Sequence, residues 1–224
     1  SFGRRANAQS DYIVEAVAIA KHMGVPVKTV WTREDDIHGG YYRPCYLHAL
    51  EAGLDADGRP MAWQHRIVGQ SITAGTPFEA GMVKNGVDNT SVEGAANLPY
   101  AIPNLRVDLQ SPKLPVPVLW WRSVGSTHTA FATEVFIDEL AHAAGADPVA
   151  FRRGLLKDHP RHLAVLDLAV DKANWGKPLP PGWGRGVAVH ESFNSYVAEV
   201  AEVSVQPNGE FKVERVVCAV DCGL

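Results

Sequence analysis

The residues best equipped for chemistry lie in one stretch, Val118 to Ala141. Here Trp120, Trp121 and Arg122 lead through Ser123-Val124-Gly125 into a long amphipathic segment. A strand, a small-residue turn and then a helix would expose backbone N–H groups, hydroxyls and one guanidinium at a helix N-terminus. Such a place favours an anion or an oxygen-rich cofactor. On spacing alone the plainer reading is a well-capped helix after a strand, with Ser126 or Thr127 as its cap. Two further Gly/Arg/Ser stretches have the same character, Phe2-Gly3-Arg4-Arg5 and Gly186 to Ser195, and from the residues alone each reads first as a plain turn. His190-Glu191-Ser192 sets a base beside a hydroxyl, but neighbouring strand residues point to opposite faces, which argues against a hydrolytic triad. His159 and His162 are three apart with no third ligand nearby, so a metal site is not expected there. Asp55-Ala-Asp57-Gly58 echoes the start of a calcium loop but lacks the later ligands, and it reads as a hairpin turn.

Bulk properties exclude several classes. The net charge is −4 and no basic run or stripe occurs, which argues against a nucleic-acid binder. No apolar run approaches the ~20 residues that span a bilayer. At 224 residues, 46% of them hydrophobic, the chain can bury one large core or two small ones. The three cysteines, Cys45, Cys218 and Cys222, form neither a CxxC pair nor a disulfide framework. Cys218 and Cys222 share a face of an expected strand and read as buried free thiols. Ser1-Phe-Gly-Arg-Arg5 and Val220-Asp-Cys-Gly-Leu224 read as the insides of motifs, so the expectation is an internal fragment of a longer polypeptide.

The elements that must position these residues follow from punctuation and period. Tyr12 to Met23 places Ile13, Val14, Val17, Ala20 and Met23 on one stripe, with Asn7 or Ser10 as cap and Gly24 as the stop. A strand is expected at Val27 to Trp31, completing half of an α/β unit, and any helix after Thr32 is kept short by Gly39-Gly40. Strands at Tyr46–Leu54 and Met61–Val68 flank Asp57-Gly58, and another runs from Leu105 to Leu109. Residues 69–97 have little period and read as a long loop that is either functional or an excursion over a partner. The central helix runs from Ser126 or Thr127 to near Gly145, with Ala132, Val135, Phe136, Leu140 and Ala143 as its apolar stripe. Glu134, Asp138 and His142 fall on another face. That row reads as a solvated face, with the alternative of a carboxylate pair bracing the preceding loop. Asp147-Pro148 and His159-Pro160 each start a helix. Gly186 begins a strand, and Val197–Val205 and Phe211–Val220 form a hairpin about Pro207-Asn-Gly209. The fold class expected is α+β, with mixed or antiparallel sheet hairpins and packed helices.

The three Gly/Arg/Ser stretches, in this order, resemble the large molybdenum-binding subunit of the xanthine oxidase and aldehyde oxidase family. Within it the similarity points to the isoquinoline 1-oxidoreductase beta-subunit group and related membrane-side aldehyde dehydrogenases. Phe2-Gly3-Arg4-Arg5 looks like the end of that group's Gly-Gly-x-Phe-Gly-Arg-Arg motif. Trp121-Arg122-Ser123-Val124-Gly125 with Ala130-Phe-Ala-x-Glu134 and Asp138-Glu-Leu-Ala141 is similar to its second motif. Gly145 to Arg153, Gly186 to Phe193 and Ala219 to Gly223 continue the likeness, so it covers essentially the whole chain. The resemblance implies one molybdopterin-binding region over 1–224: a loop, helix and hairpin part at 1–125, a helical part at 126–175, and a linker with C-terminal hairpin at 176–224.

That resemblance also implies an activity, hydroxylation of an aromatic N-heterocycle or oxidation of an aldehyde with water as oxygen source. It implies a molybdopterin cytosine dinucleotide carrying molybdenum, held by Phe2, Gly3, Arg4, Arg122, Ser123 and Gly125, with no side-chain metal ligand. Arg122 would be the catalytic residue, facing the substrate pocket where its charge stabilises a developing anion. A small iron–sulfur subunit with [2Fe–2S] clusters would carry electrons away, with a cytochrome c as a candidate acceptor. The location, cytoplasmic or periplasmic in a bacterium, is left open. Two departures bear on substrate: Arg4, Arg5 and Ala6 stand where xanthine-type members have a substrate-orienting Glu, and Ser123-Val124-Gly125 replaces Gly-Phe-Gly, removing an aromatic wall. The family's glutamate base belongs to a Gly-x-Gly-Glu-type segment near the C-terminus of the intact subunit, which 1–224 does not contain. The isolated chain is therefore expected to be inactive. A non-catalytic assembly or partner-binding domain of the same lineage is the alternative, and an unrelated α/β binding module is a third reading.

Overall fold

The structure is a computed structural model that describes residues 7–223. The Phe2, Gly3 and Arg4 assignments lie outside the described residues. Two compact units form, each built from separate pieces of chain: 1–48, 66–92 and 108–125 in the first, and 49–65, 93–107 and 126–224 in the second. The architecture is α+β, with small sheets and helices.

The first unit opens with α1 (Asp11–Met23), which Asn7 enters by accepting the Asp11 N–H on its side-chain oxygen. Gly24 ends it in the left-handed region at φ 67°, as a glycine stop should. None of the α1 residues is buried, so the predicted stripe of Ile13, Val14, Val17 and Met23 is present but uncovered. Residues 27–31 form no strand, because no other described strand pairs with them; a strand needs a partner for its ladder. The short helix α2 (Arg33–His38) is capped by Thr32, whose hydroxyl accepts the Asp35 N–H at 3.1 Å.

Strands β1 (Tyr46–Leu54), β2 (Pro60–Gly69) and β5 (Asn104–Gln110) form a three-stranded sheet in the order β1-β2-β5. Their residues 46–48, 66–69 and 108–110 belong to the first unit and the others to the second. The turn between β1 and β2 is held by the Asp55 carboxylate, which accepts from Asp57 N and Arg59 N, with Gly58 at φ 77°. Residues 69–97 are more ordered than expected. They contain α3 (Glu79–Met82), the paired strands β3 (Val83–Lys84) and β4 (Val87–Asp88), and α4 (Asn89–Val92). Asn85 and Gly86, both at positive φ, make the two-residue turn between β3 and β4.

The second unit carries the larger core. Helices α5 (Ser126–Ala143), α6 (Pro148–Leu155) and α7 (Pro160–Ala173) pack with the antiparallel sheet β6 (Trp183–Ser192), β7 (Ser195–Val205) and β8 (Phe211–Asp221). Asp147 caps α6 by accepting from Val149 N and Ala150 N, with Pro148 in the first turn. On the buried face of the sheet Val189, Ala198 and Ala219 line up across the strands, over the apolar side of α7. Strand β6 starts at Trp183, three residues before the expected Gly186. A second hairpin, between β6 and β7, turns on Phe193 and Asn194, both left-handed at φ 52° and 60°. Cys45, Cys218 and Cys222 are free and exposed, which corrects the buried reading of the last pair: Cys218 lies on the sheet face away from Ala219, and Cys222 lies past the end of β8.

Candidate functional site

In the first unit the chain reaches Arg122 along an extended segment rather than a full strand. Val118 makes a single parallel bridge to Tyr42, with Tyr42 N donating to Pro117 O at 2.9 Å and Leu119 N to Tyr42 O at 3.1 Å. Trp120 stacks edge-on against Phe78, ring centroids 5.5 Å apart. The loop then closes on itself through Val124 N to Trp121 O, at 3.0 Å. Ser123 (φ 65°) and Val124 (φ 41°) are both in the left-handed region. A β-branched residue there is strained by ~1–3 kcal/mol, so tertiary contacts must hold it. Arg43 supplies one such contact, its Nη1 donating to the Arg122 carbonyl at 3.1 Å. Arg122 and Ser123 are exposed at the crest of this loop, and Gly125 is buried at its end. The loop holds Arg122, Ser123 and Gly125 within one turn of chain.

The helix that follows departs from the expectation in its cap. Ser126 is already inside α5, and its N–H donates to the Glu93 side chain at 3.3 Å. The plainer reading of a capped helix therefore holds, with the Glu93 carboxylate rather than the Ser126 or Thr127 side chain taking one N–H at the positive end of the helix dipole. Glu93 also anchors the helix through its carbonyl, which accepts the Thr129 hydroxyl at 2.7 Å. Gly94, at φ 79°, lies against Thr129 and His190 so closely that a Cβ would meet the Thr129 hydroxyl at 2.7 Å. The Nε2 of His190 is buried there without a hydrogen-bond partner among the described residues. Burial holds the His190 imidazole below its ordinary pKa, against the pull of Glu191.

The row Glu134, Asp138, His142 is not a solvated face. Glu134 is only 6% exposed and accepts from the Tyr100 hydroxyl (2.7 Å), Arg152 Nε (3.0 Å) and Val189 N (2.8 Å). Three donors are what an ionised carboxylate requires when removed from water. Burial pushes the Glu134 carboxyl up, and Arg152, Tyr100 and the Val189 N–H pull it back. Arg152 is wholly buried and spends its remaining donors on Asp138, the Pro148 carbonyl and the Glu134 carbonyl. The carboxylate pair therefore ties α5 to α6 and to β6, and does not brace the arginine loop. Only His142 of the row is exposed.

A third group gathers at the start of α7. His162 is 6% exposed and meets the rings of His159 and Tyr196 edge-on. Its pKa falls to about 4, from burial first and then from His159, His190 and Arg161. Arg161 lies over the Tyr196 ring and grips both Asp221 oxygens at 2.7 and 2.8 Å. That grip, with the Gly223 N–H, holds the Asp221 carboxyl down at about 2. Sequence reasoning missed this clasp between α7 and β8; its partners are sixty positions apart, and no local pattern links them. Among the described residues no group of three His, Cys, Asp or Glu side chains could hold a metal ion.

Comparison with known proteins gives these features a family. Residues 1–155 match the molybdopterin cofactor-binding domain. The chain is 31% identical, over 228 residues, to the beta chain of isoquinoline 1-oxidoreductase from Brevundimonas diminuta, covering all of this chain and 29% of that protein. It is 30% identical to one subunit of nicotinate dehydrogenase from Pseudomonas putida, covering all of this chain and 20% of that one. Among solved structures, quinoline 2-oxidoreductase from Pseudomonas putida 86 superposes with a TM-score of 0.64 at 19% identity, over 95% of this chain and 31% of that one, a likeness of fold. The chain thus spans less than a third of the length of these relatives. With the match covering most of its residues, this chain belongs to the molybdopterin cofactor-binding domain family.

Proposed function

We propose that this chain is part of a molybdenum hydroxylase, and that the loop Trp121–Gly125 lines the face of its cofactor site that receives substrate. The observation that carries the reading is the loop itself. Two consecutive non-glycine residues are held at positive φ, placing Arg122 and Ser123 at an exposed crest within the residues that match the cofactor-binding family. Strain kept at a loop crest marks a geometry that the fold has over-determined. The donor set fits an anionic, oxygen-rich group: Arg122 offers a guanidinium and Ser123 a hydroxyl. The group is read as the cytosine dinucleotide form of molybdopterin, with Phe2, Gly3, Arg4, Ser123 and Gly125 beside it.

When bound, that group supplies the oxidising chemistry, with water as the source of the oxygen delivered to carbon. Arg122 orients an electron-poor substrate and stabilises negative charge as it develops on the ring nitrogen or carbonyl oxygen. Relatives named for isoquinoline and nicotinate support an N-heterocycle, and those named for aldehyde dehydrogenase and aldehyde oxidoreductase support an aldehyde. Electrons leave through an iron–sulfur subunit, with a cytochrome c as the terminal acceptor. The isolated 1–224 chain lacks the glutamate base and does not turn over. The test is to purify the intact protein, measure molybdenum content, and follow oxidation of an N-heterocycle in ¹⁸O-labelled water. One ¹⁸O in the product with stoichiometric molybdenum supports the reading. A molybdenum-free protein, or product without label, overturns it, and turnover by the 1–224 chain alone would overturn the claim about the base.

A further inference from the structure

The crest that carries Arg122 is strained, and the first unit shows what restrains it. Ahead of the loop, Tyr42 pins both sides of Val118 by accepting from Leu119 N and donating to Pro117 O. Tyr42 is itself tied back to the end of α2, its hydroxyl donating to the His38 carbonyl at 3.0 Å. The next residue, Arg43, reaches past that bridge to the Arg122 carbonyl at 3.1 Å, immediately before the two left-handed residues. Pro44 follows and fixes φ for the chain beyond, so Arg43 lies between two restrained neighbours. Partial burial holds the Arg43 guanidinium below its ordinary value without threatening its charge.

We propose that Arg43 is a positioning residue for Arg122. By fixing the Arg122 carbonyl, the Arg43 guanidinium sets the orientation of the peptide that enters the Ser123–Val124 turn, and with it the direction in which the Arg122 side chain leaves the loop. The inference rests on the reading of Trp121–Gly125 as the substrate-side loop. Arg43 itself touches neither substrate nor cofactor; it acts through the backbone of another residue. A guanidinium suits the task because its charge strengthens the bond to a neutral carbonyl, and its planar fork loses little freedom on binding.

The test uses the intact protein with Arg43→Gln, Arg122→Ala and the double variant. Arg43→Gln is expected to lower kcat about ten-fold with KM changed less than three-fold. In the double variant it should add less than two-fold to the loss from Arg122→Ala, because both act at one point. A readout independent of turnover is tryptic cleavage after Arg122. Arg43→Gln should speed it at least five-fold, while cleavage after the exposed Lys113, on the same extended segment, stays unchanged. Arg43→Lys, which retains a charged donor, should restore most of both properties. Should the Gln variant not fold, Arg43→Met gives the same comparison. Unchanged cleavage after Arg122, or a kcat loss that multiplies fully with that of Arg122→Ala, overturns the proposal. If Arg122→Ala itself leaves kcat unchanged, the substrate-side reading fails, and the positioning role fails with it.

Discussion

Two arginines in this chain show opposite uses of the same side chain. Arg152 is completely buried, and its donors go to Glu134, Asp138 and two carbonyls. Arg122 stands exposed on a loop whose next two residues are held at φ 65° and 41°. Around Arg152 the backbone is ordinary helix, and the polar atoms have been saturated. Around Arg122 the backbone is strained, and the side chain is exposed to solvent. A buried, saturated charge holds elements together and has little left to offer a ligand. An exposed charge contributes little to stability, which suits the substrate-side role proposed above for Arg122.

The contrast can be broken most easily on the buried side. Replacing Arg152 with Leu leaves Glu134 buried with an uncompensated charge. It should cost about 3–5 kcal/mol of stability, read as a lowered midpoint in urea unfolding. A loss below ~1 kcal/mol would mean that the network is not saturated in solution as it is here. The histidine group at α7 gives the next effect. His162 has its pKa lowered to about 4 in the folded state, against an ordinary value of 6.5. Between those values the unfolded chain binds a proton that the folded chain refuses. Stability is therefore full above pH 6.5 and falls as pH drops towards 4, by on the order of 2–3 kcal/mol. The slope should flatten in His162→Phe, and an unaltered slope would assign the effect elsewhere. The smallest effect belongs to the strained loop: Val124→Gly removes a Cβ from the left-handed region and should raise stability by about 1 kcal/mol in thermal unfolding. A loss of stability there would show that Val124 is not strained.

What could be read in advance follows the same division. Local punctuation carries far. Asp147-Pro148, Gly24, Asp57-Gly58 and Pro207-Asn-Gly209 each mark an element boundary that the structure has, because caps and tight turns are decided within a few residues. Asn85-Gly86 was an equally strong signal, hidden inside a region read as one long loop. Phe193-Asn194 was hidden for another reason, since neither residue is glycine and only the pairing of β6 with β7 forces them left-handed. Glu134 was misread because helical period cannot see Tyr100, Arg152 or Val189, the partners that make its burial tolerable. Val27–Trp31 failed because a β-rich run is a strand only when another strand accepts its ladder. At the candidate site, the loop ahead of α5 was legible from residue types. The strain at Ser123 and Val124, the hold of Arg43 and the Glu93 cap were not, because each depends on where distant chain returns.

If Arg122 works on a substrate rather than on the fold, one number should show it: kcat of Arg122→Ala in the intact enzyme with an N-heterocyclic substrate. The expected result is a fall of roughly 30- to 1,000-fold, equivalent to about 2–4 kcal/mol of lost transition-state stabilisation, with the unfolding midpoint unmoved. A kcat equal to that of the parent enzyme would contradict the role given to Arg122.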